Sequence, residues 1–382
     1  MERTKDESAA TRYITIFMCG DVMTGRGIDQ IMPHPSVPHI YETYMKDAQG
    51  YVELAEQTKG PIPRPVDFPY IWGDALYELR QMAPDVKVIN LETAVTKSED
   101  YQDKGINYRM NPENIQCITT AGIDCCTLAN NHVLDWGHSG LIETLDTSKK
   151  AGLKSAGAGI DQEEAQTPAV IDVQGKGRIV VFSFGTTSSG IPAHWAAAPE
   201  RPGVDLLKDF SEKTARDIAG RILSIKQPDD IIIASIHWGG NWGFVIDNEQ
   251  RDFGHILIDE AGVDIIHGHS SHHVKGIEVY RQKLILYGCG DLLNDYEGIT
   301  GLEHYRGDLG LMYLATVAPS DGRMISLKMT PTKIKHFKIN RASEEDSKWL
   351  KEVLNREGER FGTKAEIDKD RRLTLLFNHS KH

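Results

Sequence analysis

An α/β fold is predicted from three features of this 382-residue chain. Short β-branched runs alternate with stretches of helical periodicity over most of its length. Several of those runs end in Gly, Asn, Asp or His, the residue types that α/β proteins place at strand ends to do chemistry. Two late runs alternate apolar with polar, which adds antiparallel strands and makes the sheet mixed, or adds a second sheet packed on the first.

Residues 1–11 are polar and read as a disordered leader. Tyr13 to Cys19 is a buried strand leading into Gly20-Asp21-Val22-Met23-Thr24-Gly25-Arg26, where glycines let an aspartate face a cleft. Residues 30–69 are broken by seven prolines and form a cleft-side insertion, with a short helix over Ile40 to Glu56; His34 and His39 read as exposed loop histidines. Trp72 to Met82 has helical spacing. Val86 to Leu91 is a strand that delivers Asn90 and Glu92, two apart and so on one face. Asn111-Pro112 opens a helix. Ile123 to Leu128 is a strand that presents Asn130, Asn131 and His132.

Two strands, Ala169 to Val173 and Arg178 to Phe184, form a hairpin about Gly175. Residues 185–207 are a second cleft-side loop, and Phe210 to Gln227 an amphipathic helix. Asp230 to Ile236 is an uninterrupted apolar strand that runs into His237-Trp238-Gly239. After a helix over 249–261, Val263 to Ile266 leads into His267-Gly268-His269-Ser270-Ser271-His272-His273, four of the chain's fifteen histidines in seven residues. A hairpin about Arg281-Gln282-Lys283 ends in Gly288-Cys289-Gly290-Asp291, and Ser343 to Phe361 reads as a charged helix before a weakly ordered tail. The main domain is placed at 12–335, and 336–382 as a C-terminal helix and tail.

A net charge of -12 argues against nucleic acid or an anionic membrane as the main partner, since both need a basic face. Five irregularly spaced cysteines make a poor disulfide framework, and no apolar run reaches membrane-span length. A cytoplasmic protein is expected.

Asp21, Glu92, Asn131, His237 and the His269/His272 turn thus lie just past apolar runs. A mixed nitrogen and oxygen donor set suits first-row ions such as Zn, Mn or Fe. Six donors exceed what one zinc takes, so one or two divalent ions are expected.

These motifs, with Leu128-Ala129-Asn130-Asn131-His132-Val133-Leu134-Asp135 and Gly276-Ile277-Glu278, resemble the CapA family of poly-γ-glutamate capsule synthesis proteins, a branch of the calcineurin-like metallophosphoesterase superfamily. The resemblance runs from about residue 13 to 330. It implies a four-layer α/β sandwich around a mixed central β-sandwich. It implies Asp21 and His272 on one metal, Asn131, His237 and His269 on the other, and Glu92 bridging. It further implies His132 as catalytic acid and Arg26 facing an anionic substrate group. Asn90, Asn130 and Trp238 are expected to touch substrate. Met23 stands where the general phosphoesterase pattern has a second ligand, which leaves one metal short of a donor.

The expected activity is hydrolysis of a phosphoester or polyglutamyl amide by metal-activated water, on an anionic small molecule or peptide. Two alternatives share the site: a metal-dependent peptide epimerase, which abstracts a proton beside a carbonyl, and a non-catalytic component of poly-γ-glutamate synthesis. Oligomeric state is open.

Overall fold

The computed structural model describes residues 13–377, so the polar leader over 1–11 lies outside the described residues. Two sheets carry the fold. In the larger, Ile14–Val22 lies between Leu309–Val317, antiparallel to it, and Val86–Leu91, parallel to it. Cys125–Thr127 and Lys154–Ala156 extend the parallel half. In the smaller, Gly177–Gly185, Asp230–His237, Ile265–His269 and Lys283–Leu286 run parallel, with Ala169–Val173 and Ile277–Tyr280 antiparallel at the edges.

The sheets face each other across one apolar core, with Ile14, Ile16, Val86 and Val88 from the first and Ile179, Val181, Ile231 and Ile233 from the second. The outer face of the larger sheet buries Phe17, Ile89 and Leu91 against helical Ile28, Val52, Ala75 and Leu141. The outer face of the smaller buries Phe182, Ile232 and Ala234 against Ile218, Ile222, Phe253 and Leu257 of the helices Glu212–Ile225 and Asn248–Ala261. Burial on both faces is why these strands read as continuous apolar runs. The four layers are helix, sheet, sheet, helix.

Three expectations are corrected. The first strand does not stop at Cys19 but runs through Val22, because Asp291–Leu293 pairs alongside it and sets Asp21 opposite Asp291. In the insertion the helix is Gln49–Lys59, not Ile40 to Glu56; residues 39–47 instead close a turn with a His39–Asp47 bridge. The C-terminal segment is not an appended helix and tail. Ile339–Arg341, Lys364–Ile367 and Leu373–Leu376 are strands of the larger sheet, and Leu350 and Leu354 of the helix Glu344–Gly358 enter the inter-sheet core. All five cysteines are free and buried. Among the described residues no helix is long and apolar enough to cross a membrane.

Candidate metal centre

The parallel strands of both sheets end at the same edge of the sandwich, and polar side chains pin the sheets together there. The Ser235 hydroxyl lies 3.2 Å from Thr127 Oγ1 across the interface, and His267 Nε2–H donates to the Cys19 carbonyl at 2.6 Å. His267 is therefore a structural bridge at the end of its strand. His273 is buried too, with its Nε2 accepting from the Gly243 N–H.

His237 and His269 are register partners on adjacent strands, so both imidazoles face one point; their Nδ1 atoms are 2.8 Å apart. His269 Nε2 lies 2.8 Å from the Ser235 hydroxyl, which leaves Nδ1 as its ligand atom. Asn131 Oδ1 is 2.9 Å from His237 Nε2. Asp21, His237 and His269 each offer a donor atom within 4.8 Å of the others, and so do Asp21, His272 and Asp291. Asp21 belongs to both triples. Ser270, with φ 100°, takes the chain from His269 round towards His272.

Glu92 sits between the histidines, its Oε1 3.9 Å from both His132 Nε2 and His237 Nε2. Burial, then the neighbouring Asp21 charge, push its pKa well up. Burial likewise raises Asp21 to about 6, against the hydrogen bonds that lower it. Burial also pushes the pKa values of His237 and His269 well down. On His272 burial is outweighed by Asp291, and the pKa rises.

These residues fit a divalent cation. Asp21 Oδ2 and Glu92 Oε2 are buried without a hydrogen-bond partner. Among the described residues, the ion pairs of Asp21, Glu92 and Asp291 are with histidines, not with Lys or Arg. Buried carboxylates need a positive charge, and a coordinated metal supplies one.

His132 enters beside this group. Its Nδ1 is 2.6 Å from Asp135 Oδ2, and its ring stacks on Tyr108 at 3.7 Å. Asp135 also accepts from the Tyr108 N–H and pairs with Lys104 at 2.7 Å. Burial takes the His132 pKa down to about 4, against Asp135, which raises it. Neutral imidazole with Nδ1–H on Asp135 has its lone pair on Nε2, so it accepts a proton before it can serve as the expected acid.

Four expected contacts are placed elsewhere. Arg26 is buried: its guanidinium is bidentate to Asp295, at 3.1 and 2.5 Å, and also bonds Glu42 and Tyr51. Asn90 donates to Asp21 Oδ1 at 2.7 Å and orients it. Asn130 ties Asn90 and the Leu91 carbonyl to the His132 N–H. Trp238 lies in the outer core with its Nε1–H on the Tyr287 carbonyl. All three are buried. His34 and His39 are exposed, as read. The loop over 185–207 borders the centre, with Thr186 Oγ1 on the His237 carbonyl.

Asp291 is a candidate donor that sequence reasoning did not place. Its carboxylate is 3.0 Å from His272 Nδ1 and accepts from Asn294. It stands with Asp21 and His272, the group that the Met23 departure was expected to leave short of a donor. The signal was present, since Gly290-Asp291 repeats the Gly20-Asp21 pattern, but Asp291 follows a hairpin rather than an apolar run. Asp135, Lys104 and Tyr108 carried no spacing signal.

The mixed sandwich and its histidine–carboxylate cluster define an α/β protein with a candidate metal site, and similarity to known proteins narrows this. Residues 15–296 match the family described as "Bacterial capsule synthesis protein PGA_cap". The chain belongs to that family. It is 46% identical over 95% of its length, and 96% of theirs, to proteins named "Probable polyglutamine synthesis accessory protein" from two strains of Mycobacterium tuberculosis. It is 26% identical to "Capsule biosynthesis protein CapA" of Bacillus anthracis, over 74% of this chain and 60% of that one. To "PGA biosynthesis protein CapA" of Bacillus subtilis it is 27% identical, over 77% and 67%.

Proposed function

We propose that the chain is a metal-dependent hydrolase that cleaves a phosphoester or an amide, the latter in a glutamyl polymer of the kind its relatives are named for. One observation carries the reading: three buried carboxylates with no Lys or Arg partner among the described residues converge with His237, His269 and His272 at one edge of two sheets. Asp21, Asn131, His237 and His269 would hold one divalent ion. Asp21, His272 and Asp291 would hold a second, with Glu92 between them. Such an ion, when bound, supplies Lewis acidity and makes water nucleophilic near neutral pH.

The chain's own part is proton handling. Asp135 fixes the His132 tautomer so that Nε2 faces the Glu92 side of the centre. His132 takes a proton there and returns it to the leaving group. Asn90 and Asn130 hold Asp21 and the His132 backbone in register.

The test is hydrolysis of bis(4-nitrophenyl) phosphate and of poly-γ-glutamate by protein stripped with chelator and then restored with Mn, Zn or Fe. Turnover that disappears and returns with metal is expected. The mycobacterial relatives' names favour a second reading, an accessory role without catalysis. Metal-loaded protein inert on both polymers and small esters would select it, unless peptide α-carbons exchange deuterium, which would select the epimerase.

A further inference from the structure

A cavity of about 290 Å³ opens beside the His272–Asp291 corner. Trp242, Tyr296, Ile299, Leu302, Ile334 and Asn294 supply its main surfaces. Three of these touch the centre itself. The Trp242 and Tyr296 rings each lie 5.3 Å from the His272 ring, and Asn294 Nδ2 donates to Asp291 Oδ2 at 2.7 Å. The cavity and the centre therefore share a wall. Its size is close to the lower end for small-molecule sites, roughly 300 Å³.

Most of the charges around it are already committed. Arg306 is bonded to Asp308 and Asp346. Glu297 accepts from the backbone N–H groups of His336 and Phe337, and Glu303 from that of Gly301. Lys59 is exposed, on the last turn of the Gln49–Lys59 helix. Apart from Lys59, what remains open is mainly apolar, and Ile299 and Leu302 stand 44% and 38% exposed at its rim. Exposed alkyl groups lining a concave surface next to a polar centre are the arrangement of a ligand subsite.

We infer that this cavity holds an uncharged apolar group, aromatic or branched alkyl, attached to the substrate whose reacting bond lies at the metal centre. The inference rests on the hydrolase reading for what happens at the centre, but not for the cavity's preference. It makes the substrate two-ended, with an anionic or carbonyl head towards His272 and Asp291 and an apolar body against Trp242 and Leu302.

Two binding measurements on the full chain test it. Methylphosphonate and phenylphosphonate are titrated into Mn-loaded protein; both present the same head, and only the second has a body to bury. Phenylphosphonate is expected to bind about 10-fold more tightly or better, the increment for burying one ring. Leu302→Asp, a rim substitution outside the core, is expected to erase the difference and leave the Mn content unchanged. The neutral fluorophore N-phenyl-1-naphthylamine is titrated into metal-free protein to read the cavity alone, with saturable binding expected in the parent and lost in Leu302→Asp. Equal affinity for the two phosphonates overturns the inference, as does the absence of saturable fluorophore binding. Protein that takes up no Mn but still binds the fluorophore through Leu302 sinks the hydrolase reading and keeps the cavity's preference.

Discussion

Asp135 makes a sharper test of the proton path than any metal ligand does. It touches His132 Nδ1, the Tyr108 N–H and Lys104, but none of the candidate ligands. Asp135→Asn keeps the shape and loses the anion that fixes the tautomer. The turnover number is expected to fall by ~10²–10⁴ with metal content unchanged. Equal loss of metal would show that Asp135 only holds the loop. Arg26 poses the opposite case. It was expected at a substrate and is instead a buried cation between Asp295 and Glu42. Arg26→Met leaves two buried carboxylates uncompensated, and a loss of about 3–5 kcal/mol in chemical unfolding is expected. Sequence could not separate these roles, because a charged residue after a Gly turn looks the same whether it faces a ligand or a buried acid.

The strands Ile14–Val22 and Asp291–Leu293 bring two carboxylates together, and Gly20 permits it. A Cβ there would sit 1.6 Å from the Gly290 carbonyl oxygen, a backbone atom that cannot swing aside. Gly20→Ala must push the two strands apart. It is expected to cost about 1–3 kcal/mol or more and to weaken metal binding even though no ligand changes. Intact affinity, read by calorimetry, would show that Asp291 does not share the centre with Asp21. At this scale the sequence was most informative where a ligand followed a run buried on both faces, as with His237 after Asp230–Ile236. It was least informative for Lys364–Ile367 and Leu373–Leu376. Each is four residues long and recognisable as a strand only through its neighbour. Asp291 was hidden for the same reason, since its strand exists by pairing with Ile14–Val22.

Across the whole molecule the centre is a store of unfavourable burial. His132 and His267 are held at pKa values of about 4 by burial, and His237 and His269 are pushed down as well. An unfolded histidine titrates near ~6.5. As pH falls through that value the unfolded chain takes protons that the native state refuses, so stability drops towards the native pKa. Asp21, Glu92 and His272 act in the reverse sense, since their native pKa values are raised, that of Asp21 to about 6, and favour the fold as pH falls. Set against these three are five depressed histidines, His273 at about 4 being the fifth. The thermal midpoint of metal-free protein is expected to fall steadily from pH 7 to pH 4.5; a flat or rising midpoint would mean that the histidines are hydrated and the sheets less closely joined than Ser235–Thr127 and His267–Cys19 make them. The four layers were legible only through family resemblance, because alternating runs show strands and helices but not which sheet each strand joins.

All of this depends on a cation belonging between the two sheets, and the metal content of the purified chain measures that directly. About one equivalent or more of a first-row divalent ion is expected, with His237→Ala and His269→Ala each lowering it and lowering the thermal midpoint of the loaded protein. Less than about half an equivalent of any such ion after incubation with excess metal, with His237→Ala indistinguishable from the parent, would contradict the account.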